Sequence, residues 1–176
     1  MPRELVEACV VSGRISLPPL PQHRYVAFTD PSGGSQDAFT LAIAHKEGQL
    51  GIIDVLLERR PRFNPDEVTQ QFCEILQMYG VTSVLGDRYA GEWPRERFRT
   101  YGVEYVVCGV PKSELYKAFI PLLTTVKVEL LDDKAMVDQL INLERRVIRG
   151  GRDSIDHPTG AHDDKANVVA GVLTLV

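Results

Sequence analysis

Apolar positions along this chain fall into two spacings. Short β-rich runs come first: Tyr25-Val26-Ala27-Phe28-Thr29-Asp30, then 39–45, where Phe39, Leu41 and Ile43 share one face and Thr40, Ala42 and Ala44 the other. Such alternation predicts strands with two chemically different faces. A third run, 51–57, comes after the tight Glu47-Gly48-Gln49 connection, so the three predict an antiparallel meander. Helical spacing takes over at 66–79 through Val68, Phe72, Ile75, Leu76 and Tyr79, with Asn64 or Pro65 to start it and Gly80 to stop it. Residues 81–85 are apolar and β-branched and end at Gly86-Asp87, and strand, helix, strand is the order of a parallel crossover. The remainder predicts a helix over 92–100, a strand over 103–108, a helix over 113–123 and a brief strand over 126–130. A long amphipathic helix over 133–148, carrying Met136, Leu140, Leu143 and Val147, precedes a polar loop over 150–160 and a closing helix from Asp163. The plan is α/β, with helices flanking both faces of a mixed sheet of five strands or slightly more.

Residues 1–22 break this regularity. A short strand or helix fits 5–11, but Ser16-Leu17-Pro18-Pro19-Leu20-Pro21 cannot lie inside a regular element. The expectation is a proline-stiffened linker over 1–22, of the kind that joins domains, and one folded domain over 23–176.

Composition narrows the class. A chain of 176 residues suits one domain with a proper core, and 44% hydrophobic with 25% charged residues is ordinary for a soluble globular protein. Cys9, Cys73 and Cys108 are odd in number and widely spaced, which predicts a reducing, cytoplasmic setting and neither a disulfide frame nor a zinc site. No apolar run reaches membrane-spanning length, and the N-terminus lacks a secretory h-region. The net charge of −4 does not advertise a nucleic-acid binder, although Arg59, Arg60 and Arg62, then Arg95, Arg97 and Arg99, then Arg145, Arg146, Arg149 and Arg152 form local basic groups. Salt-bridged surface is the competing reading of each group.

The chemistry sits at strand ends. Asp30 and Asp87 each close a predicted strand, and parallel pairing of those strands would set their carboxyl ends about 4.8 Å apart. Ligands of open α/β sheets bind at that edge. Asp163 and Asp164 open the last helix, whose Ala166 and Ala170 allow close packing that would press Asp163 toward the sheet. Carboxylates gathered this tightly repel one another, and oxygen-only donors suit Mg²⁺ or Mn²⁺. Two such ions could activate water and hold a scissile phosphate, which points to metal-dependent phosphodiester hydrolysis. The alternative for each acid is a turn former or helix cap. His162 is placed to assist a metal or a proton transfer, or simply to hydrogen-bond.

These residues resemble the nuclease domain of phage terminase large subunits, of the RNase H-like, RuvC-type superfamily. The likeness lies in Phe28-Thr29-Asp30-Pro31-Ser32-Gly33-Gly34 with Asp37-Ala38-Phe39-Thr40, Leu85-Gly86-Asp87-Arg88-Tyr89-Ala90-Gly91, Lys112-Ser113-Glu114-Leu115-Tyr116, and Gly160-Ala161-His162-Asp163-Asp164-Lys165-Ala166-Asn167. It implies an RNase H-like fold, with Asp30, Asp87 and Asp163 as metal-binding catalytic acids and Asp164 as a fourth ligand. Arg88, Lys112, Ser113 and Tyr116 would lie near the DNA path. The implied activity is cutting of concatemeric double-stranded viral DNA during packaging, with little sequence preference and two Mg²⁺ or Mn²⁺ ions. The implied partners are DNA, a packaging ATPase domain joined through residues 1–22, the portal and the small terminase subunit, all in the host cytoplasm and none of them a membrane.

The family's phosphate-loop pattern GxxxxGK[ST] does not occur in these residues, so the expectation is an excised or truncated nuclease unit that does not translocate DNA by itself. Three alternatives remain: another RNase H-like nuclease such as a junction resolvase or transposase core, a non-catalytic DNA-docking module, and an actin-like ATPase lobe. The length leaves no room for the duplicated domain the last requires.

Overall fold

The computed structural model describes residues 1–87, 92–148 and 152–176. Its centre is a six-stranded sheet in the order β5-β4-β1-β2-β3-β6. Strands β1 (Tyr25–Asp30), β2 (Phe39–Glu47) and β3 (Leu50–Arg59) form the antiparallel meander. Strands β4 (Ser83–Gly86) and β5 (Glu104–Val107) add in parallel on the β1 side, and β6 (Val128–Glu129) adds in parallel beside β3. The mixed α/β sheet agrees with the pattern read in the sequence, one strand beyond five.

Two cores lie on opposite faces, and β2 separates them by its alternation. Phe39, Leu41 and Ile43 join Phe72, Leu76 and Phe98 of helices α2 (Pro65–Met78) and α3 (Glu92–Thr100). Ala42 and Ala44 face α4 (Lys112–Thr124), α5 (Lys134–Asn142) and α6 (Asp164–Leu173). The second face is built for proximity. A Cβ on Gly171 of α6 would stand 2.6 Å from Phe28 Cγ of β1, a distance real Cβ atoms do not reach. All residues of α6 from Lys165 to Leu173 are buried, so this helix is the inner pillar of the domain.

Two predictions need correction. The helix expected over 133–148 stops at Asn142, because Leu143 takes extended backbone (φ −61°, ψ 130°) and stays buried. Beyond it the chain forms a hairpin: β7 (Glu144–Ile148) pairs antiparallel with β8 (Arg152–Asp156), Arg145 opposite Ile155, where a polar loop was expected. Ile155 inserts into the α4–α6 core, and Ser113 Oγ accepts its N–H at 3.0 Å, so burial anchors the ribbon to α4. Residues 1–22, expected as a linker, pack on the domain at their start. Helix α1 (Arg3–Glu7) buries Val6, Cys9 is buried, and Val10 bridges Leu130. All three cysteines are free and buried. Among the described residues no helix is long and apolar enough to cross a membrane.

Candidate active site

The carboxyl end of the sheet opens into a cleft of about 650 Å³ whose walls include Asp30, Asp37, Asp87, Trp93, Lys112, His157, His162, Asp163 and Asp164. The pairing that brings Asp30 and Asp87 together is the predicted one. Strand β1 runs parallel to β4 with Thr29 opposite Gly86, and the Asp87 N–H donates to Thr29 O at 3.3 Å. Gly86 leaves room for Tyr105 at this corner, since a Cβ there would lie 2.1 Å from the Tyr105 hydroxyl. That hydroxyl donates to the Asp87 carbonyl at 2.9 Å and fixes the backbone that carries the acid.

Helix α6 delivers the other two acids, and it does so without using them as caps. Gln139 of α5 reaches across, its Oε1 accepting the N–H groups of Lys165 (2.9 Å) and Ala166 (3.0 Å). Thr40 Oγ1 donates to the Asp164 carbonyl at 3.1 Å and ties the same turn to β2. Asp163 is the residue before the helix, yet its side chain makes no capping bond. The capping interpretation open for these acids therefore does not hold for Asp163, whose carboxylate is turned to other partners.

The two consecutive acids have different surroundings. Asp163 is buried and held from α4: Tyr116 donates its hydroxyl to Oδ2 at 2.7 Å, and Lys112 Nζ stands 3.0 Å from Oδ2 and 3.2 Å from Oδ1. Lys112 also pairs with Asp156 Oδ1 at 3.3 Å. Burial works against the Lys112 ammonium, but Asp163 and Asp156 outweigh it and hold its pKa above the ordinary lysine range. Asp164 instead adds its charge to that felt by Asp30. Burial pushes its carboxyl up, with His162 opposing and Asp163 and Asp37 reinforcing.

Asp30 is the most perturbed acid of the cleft. Burial, then the charges of Asp87 and Asp164, push its carboxyl up to about 7, against a hydrogen bond from Asn167 Nδ2 to its Oδ2 at 2.8 Å. Asp30, Asp87 and Asp164 thus place like charges along one cleft, and carboxylate oxygens are the donor type that suits a hard divalent cation. A second set lies along the wall, where one ligand atom each from Asp156, His157 and Asp163 falls within 4.8 Å of the others. His157 Nδ1 is 3.0 Å from Asp156 Oδ1 and from Asp163 Oδ1 and is buried without a well-directed hydrogen bond.

The remaining sequence candidates divide. His162 sits at the mouth, mostly exposed, its Nδ1 3.9 Å from Asp164 Oδ2. Lys112 lines the cleft, but Tyr116 does not reach a DNA path: it is 1% exposed and its hydroxyl is committed to Asp163, so its expected role as a DNA contact is replaced by a positioning one. Ser113 spends its hydroxyl oxygen on β8. Arg88 lies outside the described residues. Sequence reasoning missed Asp156, His157 and the partner role of Asn167. Asp156 ends β8, and the signal for that strand was the Gly150-Gly151 pair between two short polar runs.

No protein-family profile matches the sequence, and no curated protein sequence matches it. The structure does match. The fold is that of RNase H-like nuclease domains, as the sequence motifs implied. In particular, it is the fold of the nuclease domains of phage large terminases. The large terminase nuclease of thermophilic phage G20c superimposes with a TM-score of 0.76 at 20% identity, over 90% of this chain and 92% of that one. The HK97 bacteriophage large terminase gives 0.75 at 15% identity, with all of this chain matched to 43% of that chain. The nuclease domain of the Sf6 large terminase subunit gp2 gives 0.71 at 13% identity, over 98% and 97%. The G20c nuclease has been seen with magnesium, cobalt and zinc bound.

Proposed function

We propose that this chain is a metal-dependent endonuclease that cuts double-stranded DNA during phage genome packaging. One observation carries the reading: β1, β4 and α6 bring Asp30, Asp87 and Asp164 into a single acidic cleft on a fold whose solved counterparts include terminase nucleases with divalent metals bound. Asp30, Asp87 and Asp164 would hold Mg²⁺ or Mn²⁺, with Asp163 joining from the wall. Bound there, a pair of ions would supply a metal-activated water and charge neutralisation at the scissile phosphate.

The chain's own residues prepare that chemistry. Asn167 fixes one Asp30 oxygen and does not engage the other, and the Tyr116 hydroxyl fixes Asp163. Lys112 sits between Asp163 and Asp156 at the cleft wall, a cation held where a phosphate oxygen would enter. His162, exposed at the mouth with its Nδ1 3.9 Å from Asp164 Oδ2, would be available to exchange a proton with the leaving strand. The length that HK97 terminase has beyond the matched region supports a packaging ATPase domain, and with it the portal and small subunit, as partners of this unit in the host cytoplasm.

The test is cleavage of supercoiled plasmid by the purified chain. Cutting is expected with Mg²⁺ or Mn²⁺ and none in EDTA, and D30A, D87A and D164A should each lose activity by at least about 100-fold while retaining the fold. Cutting that persists in chelator excludes the metal reading. A strong preference for four-way junctions over linear duplex would reassign the chain to resolvases. Absence of cleavage with every divalent ion would leave a docking module.

A further inference from the structure

At the opposite end of β1 from the cleft, roughly 17 Å away for a six-residue strand, lies a second cluster that the nuclease reading does not use. His23 Nε2 stands 3.5 Å and His45 Nε2 3.4 Å from the same oxygen, Glu47 Oε1, and the three residues' ligand atoms all lie within 4.8 Å of one another. A tetrahedral zinc ion with bonds of about 2.0–2.1 Å has ligand–ligand edges of about 3.3–3.4 Å. The two observed spacings match such edges, and both lie beyond the usual hydrogen-bond range, although the His45 contact is within reach of a long hydrogen bond.

The support behind the cluster is that of a metal-binding histidine. His45 is 3% exposed, and its Nδ1 lies 2.7 Å from Oδ2 of Asp54, itself 1% exposed. A carboxylate receiving one ring N–H directs the lone pair of the other nitrogen outward, the arrangement that orients histidine on zinc. In the tautomer that gives Nδ1–H to Asp54, His45 Nε2 and Glu47 Oε1 are two acceptors facing each other, and a cation between them resolves the conflict. Asp54 Oδ1 is also buried without a hydrogen-bond partner. The backbone at His23 is held: its main-chain N–H donates to Leu20 O at 3.1 Å, and the Leu20 main-chain N–H donates to the Tyr25 hydroxyl at 2.8 Å.

We propose that His23, His45 and Glu47 form a second metal site, for zinc or a similar tetrahedral cation with water in the fourth position, which staples the segment preceding β1 to the β2–β3 hairpin. Its donors are two imidazoles and one carboxylate, softer than the all-oxygen set of the cleft, so the two sites would sort ions by ligand type. The proposal stands whether or not the cleft cuts DNA.

The test counts zinc. Metal-stripped protein is loaded with Zn²⁺ in excess Mg²⁺, which competes at the oxygen ligands, then gel-filtered and assayed by elemental analysis. Wild type should retain one zinc per chain more than either H23Q or E47Q. Glu47 is exposed, so E47Q tests the site without touching the core, and melting of the metal-free variants verifies the fold. Co²⁺ should give wild type, and neither variant, an intense tetrahedral visible band. Equal zinc in all three proteins, or zinc lost only with changes at His157, overturns the proposal and leaves His45 simply hydrogen-bonded to Asp54 and Glu47.

Discussion

A carboxyl group whose pKa stands near neutrality in the folded chain and near 3.8 when unfolded makes stability depend on pH, and Asp30 is such a group. Well below pH 3.8 it is protonated in both states. As pH rises toward 7 the folded chain keeps a proton that the unfolded chain has released, so stability falls, and above 7 the whole penalty remains. In chelator, D30N should therefore raise the melting temperature at pH 8 clearly more than at pH 4.5, while cleavage is lost; equal gains at the two pH values would show that Asp30 ionises normally. Tyr116 makes the opposite kind of contribution. Y116F leaves the buried Asp163 Oδ2 without its hydroxyl donor, which should reduce unfolding free energy by about 1–2 kcal/mol in urea titrations and lower the rate of cleavage. Unchanged values for both would remove Tyr116 from the site's support. The sequence made Asp30 and Asp87 legible because each acid sits at the close of a strand. It could not show that Tyr116 turns inward, since a tyrosine at helical spacing reads the same whether its hydroxyl meets solvent or a buried acid.

Elements were readable in proportion to how local their causes are. The meander and the crossover helices were legible, because two-residue alternation and glycine stops are written in contiguous residues. Helix α5 was overextended because Leu143 and Val147 continue the three-to-four spacing past its end, and neither glycine nor proline marks Leu143 as the stop. The burial of Ile155 against α4, a contact distant in sequence, decides for the hairpin. Helix α6 shows the reverse: its alanines suggested close packing, and Gly171 against Phe28 is the tightest point. G171A should destabilise by about 1–3 kcal/mol through overpacking. It should also reduce cleavage, because lifting α6 off β1 separates Asp164 from Asp30. A G171A chain that melts with wild type and cuts at the same rate would show that the helix has slack.

At the scale of the whole molecule, a net charge of −4 opposes DNA while one wall of the cleft offers Lys112. Many surface arginines are already paired, Arg60 with Glu58, Arg95 with Glu92, Arg97 with Asp66 and Arg146 with Glu144, as the salt-bridged reading anticipated. Binding to duplex DNA should thus be weak and steeply salt-dependent, and K112A should flatten the slope of log affinity against log salt by about one contact. A slope identical to wild type would place Lys112 off the DNA path.

The bond from Gln139 has one more implication. The N–H groups at the head of α6 are satisfied by a side chain from another helix, so erasing an acid there does not unravel the turn that presents it. D164N and D163N should therefore keep the scaffold's start intact, and on the proposed function each would hold DNA without cutting it. Replacing Gln139, by contrast, would misalign the acids without deleting a single one.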